Sequence, residues 1–211
     1  MDLLYEFLNT YIFHWLPSNA IWVAGHTLSW DARCSGIYIG FGIGVLYYFV
    51  ASRNAKELPP YPILIFISVL FLPLFIDVFS IKYGLREPSN DIRYLTGLLF
   101  GTAFSSYLYP AFTILASINE RKKSSSVSSL YKFVLLIILV IGVFFVKALD
   151  TFAVYTILET LSVFGFLSLF TILILGMFNI FWGISIRKKF IYKEEQSWAK
   201  EFVSRKRQQR F

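Results

Sequence analysis

FVLLIILVIGVFFVKAL, residues 133–149, carries no charge before Lys147 and no proline. In hydrocarbon every backbone N–H and C=O must be hydrogen-bonded within its own segment, so a run of this kind reads as a membrane-spanning helix rather than a strand. The rest of the chain is of the same character. Hydrophobic residues fill 56% of the 211 positions, aromatic residues 19% and charged residues only 16%, and the mean hydropathy is +0.61. A soluble fold with so little polar surface could not cover itself.

Working outward from 133–149, further apolar runs fall at 35–52, 61–81, 92–116 and 161–186. A span needs about 20 residues, so these runs and their short connectors use most of the chain. The expected fold class is all-α: a polytopic integral membrane helical bundle with about five transmembrane helices, forming a single membrane domain over 1–186 with a basic tail over 187–211. Residues 2–16, DLLYEFLNTYIFHWL, are apolar but too short to span and stop at Pro17, which suits an N-terminal interfacial helix. The start of the chain, with Asp2 and Glu6, lacks the basic opening and small-residue cleavage site of a secretory signal.

Charge orients the bundle. With connectors 53–60, 117–132 and 187–211 on one side, that side holds Arg53, Lys56, Arg121, Lys122, Lys123, Lys132 and nine basic residues from Arg187 to Arg210, which is 15 of the 20 cations. The other side holds Arg33, Lys82, Arg86, Arg93 and Lys147 together with eight of the 13 acidic residues. The positive-inside bias then places the N-terminus outside and the C-terminus in the cytoplasm. The net charge of +7 is read as a topology signal, so no nucleic-acid partner is expected. The tail interleaves its cations with Phe190, Tyr192, Trp198 and Phe202. It reads either as an amphipathic helix on anionic headgroups or as a solvated topogenic tail.

Gly36, Gly40 and Gly44 recur every four residues in the first run, and Gly97, Gly101 and Ser105 do so in the third. Four residues return to one helix face, so each ladder offers a groove that admits a neighbouring backbone. The first and third helices are therefore expected to pack together.

Polar residues gather on the outer side. His14, His26, Asp31, Arg33 and Cys34 precede the first helix, Asp77 lies near the outer end of the second, and Arg86, Glu87, Asn90 and Arg93 lead into the third. An ionised group at membrane depth costs about 2.5–3.5 kcal/mol on insertion scales, so Asp77 needs a partner, with Arg86 and Arg93 nearest in sequence. Arg33, Asp77, Arg86, Glu87, Asn90 and Arg93 form the candidate binding site. Arginines there suit a phosphate or carboxylate, and Asp77 or Glu87 suits proton transfer. The alternative is a buried ion-pair network that fixes the register of the first three helices.

The stretch ARCSGIYIGF at 32–41 resembles the C-A-R-C-T-G-I-Y-x-G-F signature of the membrane-protein family known as domain of unknown function 2085. PLFIDVFSIKYGLREPSNDIRYLTGLLFG at 73–101 resembles that family's P, D and G-x-R-E-S-x-N-x-x-R-x-x-T-G pattern. The resemblance covers about the first half of the chain. It carries onto Arg33, Cys34, Gly36, Tyr38 and Gly40, and then onto Asp77, Gly84, Arg86, Glu87, Asn90, Arg93, Thr96, Gly97 and Gly101. It implies an architecture and a site without a named activity. Two departures bear on chemistry. The family's early C-H-Q corresponds to Phe13, His14 and Trp15, and Asp31 replaces the first cysteine of its C-x-x-C. The intact pattern has the ligand types of a zinc site or a redox pair. With Cys34 as its single cysteine, this chain cannot form the pair. Zinc or another transition metal on His14 or His26, Asp31 and Cys34 remains chemically permitted, against ordinary hydrogen bonding by the histidines and apolar packing by the thiol.

No Ser/His/Asp triad, phosphate-binding glycine loop or two-histidine zinc helix occurs at a useful spacing. Three function classes follow. One is a membrane protein binding or processing a lipid, ion or small anionic solute at its extracytoplasmic face. Another is a non-catalytic accessory or assembly subunit of a larger membrane complex. The third is a small oligomeric transporter. The expected partners are the bilayer itself and other membrane proteins or a second copy of the chain.

Overall fold

The computed structural model describes the backbone of residues 17–51, 59–116 and 130–208, and the side chains of 18–50, 59–113 and 132–181. The 2–16 segment with His14, the connectors carrying Arg53, Lys56 and Arg121 to Lys123, and the side chains of the basic tail lie outside the described residues. Two compact units result, Met1–Ile172 and Leu173–Phe211.

The first unit opens with a 3-10 turn at Pro17–Asn19 and a two-stranded antiparallel hairpin, β1 (Ala20–Val23) and β2 (His26–Asp31). Helices follow at α1 (Ala32–Ala51), α2 (Tyr61–Val69), α3 (Leu72–Lys82), α4 (Asn90–Ala116), α5 (Leu130–Val146) and α6 (Phe152–Gln208). The helix α6 runs on through the second unit, where Ile174, Met177, Phe178, Ile180 and Phe181 are exposed.

Among the described residues, four stretches are long and apolar enough to cross a membrane: Ala32–Val50, Tyr61–Lys82, Lys132–Leu149 and Phe152–Phe181. The expectation of about five is met only to that extent, because α4, although 27 residues long, is not among them. Polar residues lower the mean hydropathy of its described part. Thr96, Thr102, Ser105 and Ser106 are buried, and their hydroxyls donate to carbonyls of the same helix, such as Thr102 Oγ1 to Leu98 O at 2.7 Å and Ser106 Oγ to Thr102 O at 2.8 Å. A hydropathy average counts such groups as polar although their hydrogen bonds are already made. The all-α expectation also missed the hairpin.

The expected 61–81 span is broken in its middle. Leu70 and Phe71 donate to carbonyls only three residues back, those of Ile67 and Ser68. Pro73, in the first turn of α3, has no N–H to give, and its ring crowds the carbonyl four residues earlier. The helix therefore tightens and restarts rather than running through.

At the centre, α1 and α4 pack backbone to backbone. A Cβ on Gly36 would press onto the Tyr94 carbonyl and lie 2.9 Å from Leu98 N, and one on Gly101 would press onto the Ile37 carbonyl and lie 2.8 Å from Phe41 N. Apolar side chains gain nothing by leaving lipid for protein, so close van der Waals contact must hold such helices, and only glycine permits it here. Another face of α1 meets α6 in the same manner, a Cβ on Gly42 falling 3.1 Å from Gly165 Cα. The burial reflects this, with 56% of the α1 span inside the protein against 17% for each of the other three.

Candidate functional site

The hairpin closes one end of the first unit, where α1 begins, α3 ends, α4 begins and α5 hands over to α6. Its short alternation places Ile21, Val23 and Leu28 inward and Trp22 outward. Both turn residues have positive φ, Ala24 at 52° and Gly25 at 76°, which is the primed geometry that suits the twist of paired strands. Alanine enters that region at a cost of roughly 1–2 kcal/mol. A long-range contact holds it there: Ala24 N donates to Asp150 Oδ1 at 2.5 Å.

Other polar ties dock the hairpin. Ser29 N donates to Glu159 Oε2 at 3.2 Å, and the Ser29 hydroxyl also donates to that carboxylate. Asn90 Nδ2 donates to the carbonyls of Ser18 (2.9 Å) and Ala20 (3.2 Å), and Arg93 Nη1 donates to Asn19 Oδ1 at 2.9 Å. Outside the hairpin, Lys147 pairs with Asp91 at the start of α4, beside the Tyr94 and Phe144 rings. Asn90 and Arg93, expected at the site, thus hold the strand that enters the hairpin.

Among the described residues Asp77 is the most deeply placed charge, its side chain 1% exposed. Arg33 Nη2 reaches Oδ2 at 2.6 Å from the first turn of α1, and Arg86 Nη2 reaches Oδ1 from the loop between α3 and α4. The two arginine side chains are about a quarter exposed, at 26% and 29%. Both carboxylate oxygens are thus occupied by guanidinium, and two cations face one anion. Among the described residues, the buried Arg33 Nε, Arg86 Nη1 and Arg93 Nε have no hydrogen-bond acceptor. Glu87 stands exposed on the same loop, without a hydrogen bond or ion pair among the described residues. Of the expected binding set, then, Arg33, Asp77 and Arg86 converge, Asn90 and Arg93 clasp the hairpin, and Glu87 joins neither group.

The residues weighed as metal ligands are differently placed. Asp31 Oδ1 accepts from Cys34 N at 2.8 Å and so caps the start of α1, where a carboxylate also favours the helix dipole. Cys34 is a half-buried free thiol. His26 lies at the hairpin turn, stacked on Tyr155 with ring centres 5.0 Å apart and edge-on to Phe152. Among the described residues no three His, Cys, Asp or Glu side chains gather to hold a metal ion.

Asn19, Ser29, Asp150 and Glu159 were missed from the sequence. A signal for the hairpin was present, since Ala24-Gly25 separates two short alternating runs. Nothing local marks Asp150 or Glu159, whose hairpin partners lie 126 and 130 residues away.

Comparison with known proteins agrees with this half of the chain. The family profile described as "Predicted membrane protein (DUF2085)" matches residues 13–107, a range that includes the hairpin, α1, Asp77 and the first part of α4. An uncharacterized protein of Methanocaldococcus jannaschii is 31% identical over 102 residues, covering 48% of this chain and 64% of the relative. One of Methanothermobacter thermautotrophicus is 35% identical over 91 residues, covering 43% of this chain and 78% of the relative. No solved structure matches. With the relative from Methanothermobacter covered over most of its length and the profile spanning the hairpin and the arginine-flanked carboxylate, the chain belongs to the DUF2085 family of predicted membrane proteins.

Proposed function

We propose that the protein is a five-span membrane protein that binds an anionic group at its hairpin-covered end. The observation that carries the reading is the excess of cation over anion around Asp77: two arginines share one buried carboxylate, and each keeps a buried N–H donor without an acceptor. A buried donor left unpaired costs about 1–3 kcal/mol, and an oxyanion is the natural partner for a guanidinium edge. With both oxygens held, Asp77 is a positioning group, since it fixes the direction in which the remaining guanidinium edges face.

The fifth crossing is assigned to α4. Its 27 residues exceed a bilayer's hydrocarbon thickness of about 30 Å at 1.5 Å per residue, and its interior hydroxyls are satisfied within the helix. Five crossings put the hairpin end and the basic tail on opposite sides, and the cation bias favours an extracytoplasmic hairpin with a cytoplasmic C-terminus.

The test is binding by the purified full chain in neutral detergent, with inorganic phosphate and phosphatidylglycerol as separate probes. Arg86→Gln is expected to weaken whichever probe binds by at least tenfold while the thermal melt stays cooperative. Unchanged affinity in that variant, or no binding of either probe to the wild type, overturns the reading.

A further inference from the structure

The arginine cluster lies at a definite height in the bundle. Asp77 stands five residues before the end of the Tyr61–Lys82 span, about 7.5 Å inside it at 1.5 Å per residue. Arg33 is the second residue of the Ala32–Val50 span, and Arg86 lies just beyond Lys82. The two guanidinium groups therefore reach inward from span ends to a carboxylate within the last two turns of α3. A hydrocarbon core of about 30 Å inside a bilayer of about 40–45 Å leaves a polar layer of about 5–7 Å on each face, where the lipid phosphates lie. The cluster straddles the boundary between that layer and the core.

The neighbours of Arg86 fit that height. Tyr83 and Leu85, which precede it on the loop between α3 and α4, are 69% and 79% exposed, and Phe79 one turn earlier is 51% exposed. Apolar side chains beside an exposed cation suit the interface, where the ring or aliphatic body meets the acyl boundary and the charge meets the headgroups.

Charge then selects among anions. Arg33, Asp77 and Arg86 sum to one positive charge, while Arg93, tied to Asn19, is offset by the exposed Glu87 on the Arg86 loop. A bound monoanion neutralises the cluster, and a dianion overshoots. A phosphodiester carries one negative charge, and its two unesterified oxygens match the paired N–H groups along a guanidinium edge.

We infer that the anionic group held here is the phosphodiester of a phospholipid in the leaflet at the hairpin end. This assignment rests on the anion-binding reading of the same residues and adds the source of the anion. About a quarter of each arginine side chain is exposed, which gives the phosphate its approach. The unpaired Arg33 Nε and Arg86 Nη1 supply donors that Asp77 does not use.

The experiment is native mass spectrometry of the purified full chain from neutral detergent, with dioleoyl phosphatidylglycerol, dioleoyl phosphatidylethanolamine, dioleoylglycerol and inorganic phosphate as separate probes. Each phospholipid is expected to give a one-to-one adduct at least about tenfold tighter than dioleoylglycerol, which has the same chains without a phosphate; one charge-assisted hydrogen bond suffices for that ratio. Inorganic phosphate is expected to bind more weakly than either phospholipid. Arg33→Gln and Arg86→Gln should each lower phospholipid binding to the dioleoylglycerol level, while Lys82→Gln, at an exposed cation ending α3, leaves it unchanged. Equal binding of phospholipids and dioleoylglycerol overturns the assignment, and so does an equal loss in Lys82→Gln, the mark of diffuse charge attraction. Inorganic phosphate that binds tightest and displaces the phospholipid also overturns it, yet leaves the anion-binding reading standing; failure of every phosphate-bearing probe sinks both. If the arginine variants do not fold, the wild-type comparison of phospholipid with dioleoylglycerol decides by itself.

Discussion

The middle of the first unit and its hairpin end are held together by opposite means. In the middle, α1 and α4 meet through Gly36, Gly40, Gly97 and Gly101, with no charge in the contact. At the end, Asp77 lies between Arg33 and Arg86, and Asn90, Arg93, Asp150 and Glu159 clasp the hairpin. The difference teaches where each force is available. Hydrocarbon removes the hydrophobic driving force between helices, so the middle depends on close contact of surfaces. Near the polar layer, charges can be partly desolvated and still paired, so the end is fixed by directional bonds instead.

The largest effect is expected from breaking the end. Asp77→Asn leaves Arg33 and Arg86 facing each other without a countercharge, and removing one member of a buried pair costs about 3–5 kcal/mol. A thermal melt in mild detergent should fall clearly; an unchanged melt would mean that the arginines are solvated and the end is not held by charge. Next comes the middle. Gly101→Leu forces a side chain against the Ile37 backbone, which cannot yield as a flexible side chain would, and overpacking of this kind costs about 1–3 kcal/mol. Gly142→Leu is its control: no atom lies within 4 Å of a Cβ built there, and a change within about 0.5 kcal/mol is expected. Equal melts for the two leucine variants would remove the distinction between packed and lipid-facing glycines. The smallest effect sharpens the comparison at the hairpin. Ser29→Ala deletes the hydroxyl bond to Glu159 but keeps the backbone one, for a loss of about 1 kcal/mol. Hydrogen exchange should then quicken in residues 20–31 and leave α1 protected.

The two regions were also unequally legible in the sequence. The middle follows from spacing, because a four-residue repeat of small residues specifies one helix face whatever lies elsewhere. The convergence of Arg33, Asp77 and Arg86 was partly legible, since a carboxylate at that depth demands a cationic partner. Arg86 was among the partners expected from sequence proximity, while Arg33, 44 residues away, stood only within the wider constellation. The hairpin was not read, because its strands are short and lie between an apolar segment and a strong helix signal. Its anchors were invisible for a different reason: Asp150 and Glu159 acquire their roles only when α6 returns beside β2. Gly165 was overlooked similarly, as a single glycine has no spacing to announce that its partner is Gly42.

The interruption at Leu70 and Phe71 carries a mechanical consequence. Where backbones touch, as in α1 and α4, neither helix can slide or turn without lifting off the other, so that pair acts as a stiff mast. The α2–α3 span is jointed halfway, and both halves are tied to the mast: α3 by the Arg33–Asp77 pair, and α2 by the Tyr107 hydroxyl of α4, which donates to Leu64 O at 2.8 Å and lies 2.7 Å from Ser68 Oγ. Any displacement passed across the bilayer would therefore be taken up at the joint, between two halves that are each moored to the mast.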